Sequence, residues 1–224
     1  MCFDLDSRPP ILPIAGGAFD TERLTLTSAD GARFAAFRAR ATTPTGAGIV
    51  VLPDVRGLHP YYEELVLRFA EHGVDAIAID YFGRTAFDVP RDDSFEYMPH
   101  VGQTTWAGLQ ADIAAAAGVL RSPAGGAVRS LFATGFCMGG RLAFLANATL
   151  GARLAATVSF YGGGIAPPEP KGKRKPLLDV FTALYHNTSV AQLGRRRMGN
   201  SQQHLRAIDK LQRLYPPALI EESL

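Results

Sequence analysis

The sequence predicts an α/β fold: a mostly parallel sheet with helices on both faces, led by an N-terminal antiparallel hairpin. Three observations carry this expectation. Short apolar runs alternate with helical patterns between about residues 48 and 161, as strand–helix–strand units require. Ahead of them, two alternating segments flank Ser28-Ala29-Asp30-Gly31, and Asp-Gly is a strong hairpin turn signal. Finally, Gly135-Phe136-Cys137-Met138-Gly139 lies between a strand-like run and a helix-like one, where a sharp turn belongs.

The elements follow in order. Residues 23–28 and 33–39 alternate and form the hairpin. Residues 48–53 (GIVVLP) are apolar throughout, as a strand buried on both faces would be. A loop from Asp54 to Pro60 leads to a helix over Tyr61–His72, which Gly73 stops. Residues 74–81 (VDAIAIDY) are a second buried strand. A long loop is expected from Phe82 to about Gly102, rich in Asp and Pro; loops of that length in compact domains are usually functional. An alanine-rich helix covers 104–120, with Thr104 as its N-cap. Strand 128–134, helix 141–150 and strand 154–161 complete the clear pattern. Beyond Gly164 the reading offers an exposed loop at 167–176, a strand at 176–181 and a weakly striped helix within 191–214.

Composition excludes several classes. Hydrophobic residues are 47% and charged residues 20% of the 224, too apolar for a disordered chain. One α/β domain over 1–224 accommodates this length, with the pattern clear to about 181 and divergent over 182–224. No apolar run reaches the roughly 18 residues of a membrane span. The start, MCFDLDSRPP, has no signal-peptide character. Two cysteines, Cys2 and Cys137, make neither a disulfide framework nor a four-cysteine zinc site, so a reducing cytoplasm is expected. The formal net charge of +2 hides an asymmetry. Residues 1–170 carry 13 basic and 17 acidic side chains, and residues 171–224 carry 10 and 4. The basic residues of that last segment are spread out with few interleaved aromatics, which argues against a nucleic-acid partner.

One motif is sharp. Residues 134–140 (TGFCMGG) contain G-x-S-x-G with cysteine in place of serine, between a buried strand and a helix. Glycines two residues either side relieve crowding at a strained turn. The turn exposes the sulfur, aims the Met138 backbone N–H at a developing oxyanion, and lets the helix N-terminus favour negative charge there. The bland alternative is a small buried cysteine at a glycine-rich turn. Cys137 occupies the position a second Rossmann glycine would need, and no phosphate-binding G-x-x-x-x-G-K-S/T loop occurs.

With these residues in view, the chain resembles the dienelactone hydrolase family of α/β-hydrolases. The resemblance rests on residues 50–84 (VVLPDVRGLHPYYEELVLRFAEHGVDAIAIDYFGR), 134–140 (TGFCMGG) and 158–163 (VSFYGG), and spans about residues 20–181. It implies an esterase or lactonase acting on a small-molecule ester or lactone through an acyl-cysteine, with no metal and no organic cofactor; a monomer and a homodimer both stay open. It implies Cys137 as nucleophile, and the second oxyanion donor is expected from the loop near Asp54 or Val55. It places Asp54 where the founding enzymes have a thiol-activating glutamate. It gives Arg84 the binding of a substrate carboxylate, a task suited to a planar guanidinium. His59 and His72 are expected on the surface.

The family's acid and histidine are not in their places. Tyr185 stands at the acid position and Ile220 at the histidine position, and no H-G-F occurs. His186 and His204 are the only histidines after Cys137 and so the candidate bases. Three readings of 182–224 stay open: a divergent tail with a rearranged base, a degraded or truncated homologue, or sequence from a shifted frame or gene boundary. The functional alternatives are accordingly a thiol hydrolase and a non-catalytic binding or regulatory protein on the same fold.

Overall fold

The computed structural model describes residues 3–149 and 154–162, with side chains for all but 148 and 149. The strand at 176–181, the helix within 191–214, His186 and His204 lie outside the described residues.

Chain order is β1 (Ala18–Thr27), β2 (Arg33–Ala41), β3 (Ala47–Leu52), α1 (Pro60–Glu71), β4 (Val74–Ile79), α2 (Gly83–Ala86), α3 (Tyr97–Gln103), α4 (Trp106–Arg121), β5 (Ser130–Phe136), α5 (Met138–Thr149) and β6 (Ala156–Phe160). The strands form one sheet in the order β1-β2-β4-β3-β5-β6. The hairpin β1–β2 is antiparallel, and β2 joins β4 antiparallel. From β4 through β3 and β5 to β6 every pairing is parallel. This is the expected α/β architecture with its N-terminal hairpin.

Period-two alternation in the central strands divides the core between the two faces. Val50, Leu52, Ile77 and Ile79 pack with Leu109, Ile113 and Leu120 of α4 and Leu142 of α5. Their neighbours Ile49, Val51, Ala76 and Ala78 pack with Tyr62, Leu65 and Val66 of α1. Strands this apolar are stable only when covered on both sides, which the crossover helices accomplish.

Several boundaries differ from the sequence expectation. The stretch 82–102 is not a bare loop: it carries α2 and most of α3. The first is a single turn, and the second contains Pro99 and buries no residue, so neither writes an apolar stripe into the sequence. The α4 N-cap is Thr105 rather than Thr104; its hydroxyl accepts from the Gly108 amide at 3.2 Å. Strand β5 runs on to Phe136, and α5 begins at Met138 instead of 141, because Gly139 and Gly140 enter the helix despite poor helical propensity.

Candidate active site

The turn between β5 and α5 is built on close backbone approach. Cys137 has φ +53°, a left-handed conformation that costs a non-glycine residue roughly 1–2 kcal/mol. Its amide donates to the Phe160 carbonyl at 3.1 Å, which ties the turn to β6, and its carbonyl accepts from Arg141 at 3.2 Å, which opens α5. A Cβ on Gly135 would lie 2.1 Å from the Gly139 carbonyl oxygen, and one on Gly140 would lie 2.4 Å from that of Phe160. Both glycines are therefore steric requirements of the turn.

The half-buried Cys137 and Met138 line a cavity of about 390 Å³ with Val55, Val101, Thr104, Trp106, Leu109, Arg141, Leu142 and Leu145. The walls come from the β3–α1 loop, from α3 and α4, and from α5. They are mostly apolar, with one charged side chain, Arg141. Met138 is the first residue of α5, so its amide belongs to the unsatisfied donors of a helix N-terminus.

The loop after β3 is held by its own aspartate. The Asp54 side chain is fully buried, and its Oδ1 accepts from the Arg56 amide at 2.8 Å. The Asp54 carbonyl accepts from the Gly57 amide at 3.1 Å, closing a turn at Gly57, where φ is +79°. The Asp54 amide donates to the Tyr62 hydroxyl at 3.0 Å, and the Tyr81 hydroxyl reaches the carbonyls of Pro53 and Asp54 at 2.8 and 2.6 Å. Burial pushes the Asp54 carboxyl up, but attraction to His59 and the Arg56 amide outweighs it and holds the group below the usual carboxylate range. With the Asp54 amide used by Tyr62, the loop's cavity-lining residue with an amide to offer is Val55.

Arg84, expected at a substrate carboxylate, is turned elsewhere. Its Nε and Nη2 donate to the two oxygens of the fully buried Asp112 at 2.9 Å, Nη1 and Nη2 meet Asp30 at 2.6 and 3.1 Å, and Nη2 also reaches the Gly108 carbonyl at 2.9 Å. Ser28 Oγ donates to Asp112 as well. This network ties the hairpin turn to α2 and α4, and Arg84 does not line the cavity. Arg84→Gln is expected to cost about 3 kcal/mol, because Asp112 is left buried without its counter-charge. A lowered urea midpoint at unchanged slope is the check.

His59 is also not where the sequence placed it. It is 1% exposed and sits at the N-cap position of α1, against the Tyr62 ring at 4.8 Å. His72 is exposed as expected, with Nδ1 on the Arg68 carbonyl at 2.8 Å. The third described histidine, His100, meets Thr85 Oγ1 at 2.9 Å. None of the three lines the cavity. The sequence reading missed Arg141. Its spacing of four from Cys137 on a helix, a same-face relationship, was the signal available.

Comparisons with known proteins bear on this arrangement. A putative dienelactone hydrolase from Klebsiella pneumoniae subsp. pneumoniae superposes with a TM-score of 0.62 at 20% identity, over 92% of this chain and 95% of that one. A dienelactone hydrolase-like promiscuous phosphotriesterase from metagenomic libraries superposes with a TM-score of 0.56 at 27% identity, over 70% of this chain and 64% of that one. A different likeness is confined to a short stretch. Over 52 residues, 23% of the chain, it is 56% identical to an error-prone DNA polymerase of Teredinibacter turnerae. Over 51 residues it is 47% identical to that of Pseudomonas fluorescens. The chain spans 5% of the length of each of these polymerases. Two thirds of the chain answers to a single family: the model of the dienelactone hydrolase family matches residues 34–182, strand β2 through the turn at Cys137 and past β6, and to that family the chain belongs.

Proposed function

We propose that the protein cleaves a carboxylic ester or lactone with the Cys137 thiolate as nucleophile. The observation that carries this reading is a cysteine in a left-handed backbone conformation at a strand-to-helix turn, opening into a cavity of about 390 Å³. The sulfur adds to the ester carbonyl, and the Met138 and Val55 amides hold the oxyanion. The C–O bond then breaks, the alcohol leaves with a proton, and water cleaves the thioester to release the acid and restore the thiol. Asp54 keeps the loop's backbone in shape and so serves the Val55 amide. The test is labelling: a thiol reagent should modify Cys137 stoichiometrically, and an ester substrate should protect it.

The cavity also supports a substrate preference. Arg141 is its one charged residue, is exposed, and has no carboxylate partner among the described residues. A guanidinium one turn beyond the nucleophile suits an anionic substituent on an otherwise apolar ester. Arg141→Gln is expected to raise KM about tenfold for a carboxylate-bearing ester and to leave KM for its neutral analogue unchanged, read from paired steady-state kinetics.

A second reading is favoured by the polymerase-like stretch. Its 52 residues fit neither the 33 positions before the family match nor the 42 after it. We place it in the basic segment 171–224, 54 residues long, whose first 12 residues overlap the family match and which begins where the charge changes sign. On this reading the chain joins a hydrolase sequence to an unrelated one near residue 171. The join replaces the region of the family's acid and histidine, which leaves Tyr185 and Ile220 in their positions. Cys137 would then accept an acyl group and release it slowly. Peptide mapping of the native protein across residues 160–185, with the coding strand read in all frames, decides the matter. A continuous native peptide through residue 171 rules out a frame or assembly origin. A family-like G-x-x-D and H-G-F in another frame supports one.

A further inference from the structure

Beside the cavity, a buried imidazole lacks the hydrogen bonds its chemistry calls for. Neither ring nitrogen of His59 has a hydrogen-bond partner among the described residues, although buried polar side-chain atoms are almost always bonded. Nε2 lies 4.0 Å from Asp54 Oδ2, and both side chains are 0% exposed. That separation is longer than a formed hydrogen bond. Asp54 Oδ2 also accepts from the Phe3 amide, at 3.4 Å, and the Tyr62 hydroxyl interacts with the same carboxyl.

The charged and titratable groups around this carboxylate are few. From its own loop comes Arg56, whose guanidinium is turned to the Phe3 carbonyl at 2.8 Å and to Asp4 at 3.6 Å. From α1 come Tyr61 and Tyr62, and from the end of β4 comes Tyr81. Among the described residues, His59 is the side chain beside Asp54 whose polar atoms are left without a hydrogen-bond partner. Val55, the next residue, shares the cavity with Cys137. An unbalanced carboxylate at this place would oppose a thiolate across that turn.

We propose that His59 is a positioning residue: its ring nitrogens hold the buried Asp54 carboxylate in place, and through it the Asp54–Val55 turn that faces the nucleophile's cavity. The inference rests on the reading of Cys137 as nucleophile. It adds a role for a histidine that precedes the nucleophile in the chain and does not touch the reacting atoms.

The experiment follows the rate of iodoacetamide addition to Cys137 between pH 6 and 10 in the full chain, with the modified peptide identified by mass spectrometry. His59→Phe keeps an aromatic ring beside Tyr62 and removes both nitrogens. Its alkylation midpoint should move upward by about half a pH unit or more. Asp54→Asn added to it should return the midpoint to the wild-type value. His59→Leu is the second variant, should phenylalanine not be accommodated. A profile that superimposes on wild type, or a shift that persists without the carboxylate, overturns the proposal. A wild-type chain whose Cys137 resists alkylation overturns the nucleophile reading instead, so the two failures are distinct.

Discussion

Cys137→Ala should retain the fold and lose ester cleavage by about a thousandfold or more, since Cys137 is the one thiol among the residues that line the cavity. The thermodynamic counterpart is as informative. Alanine inherits the left-handed backbone at φ +53° and its strain, whereas glycine adopts it without steric penalty. Cys137→Gly should therefore be more stable than Cys137→Ala by about 1 kcal/mol, a rise of roughly 2–4 °C in melting temperature. Both variants would be inactive. Melting curves and ester hydrolysis measured side by side separate strain stored for the nucleophile from ordinary packing. Equal stability of the two variants, or activity surviving in either, contradicts this account of the turn.

Gly139→Ala should be far more damaging than a single methyl group suggests. Its Cβ would lie 2.1 Å from the Leu52 carbonyl oxygen and 2.2 Å from that of Pro53. Both contacts are backbone, so no rotamer change relieves them. The α5 N-terminus must retreat from the end of β3, which carries the Asp54–Val55 turn, and the Met138 and Val55 amides proposed to hold the oxyanion separate. A loss of about 3–5 kcal/mol is expected, together with slowed Cys137 labelling in whatever fraction folds. Gly118 supplies the control. It lies exposed within α4, and a Cβ there meets nothing within 4 Å. Gly118→Ala should stabilise by up to about 1 kcal/mol through helix propensity alone. Denaturant titration of both variants checks the contrast.

The order of strands and helices up to β6 was readable because fully buried strands are short apolar runs and the crossover helices between them are longer. The hairpin was readable from Asp30-Gly31, and the strained turn from Gly135-Phe136-Cys137-Met138-Gly139. What escaped the reading was local and short: α2 and α3 bury too little to show a period, and the Thr105 cap is one residue from an equally plausible Thr104. Among the described residues, no helix is long and apolar enough to cross a membrane, which agrees with the absence of a long apolar run.

By itself the sequence determined the class of fold and the family, and it singled out the turn at Cys137. Each is encoded in neighbours along the chain: a period of two, a turn dipeptide, a seven-residue motif. Only the tertiary structure decided the company each side chain keeps. Arg84, an arginine that suits a carboxylate on paper, spends its donors on Asp30 and Asp112, from segments 54 and 28 residues away. His59, expected in solvent, is enclosed beside Asp54. Arg141 emerges as the cavity's charge because α5 turns it toward the space that α3 and α4 wall off. Burial and charge pairing arise between segments distant in sequence, so no local pattern announces them.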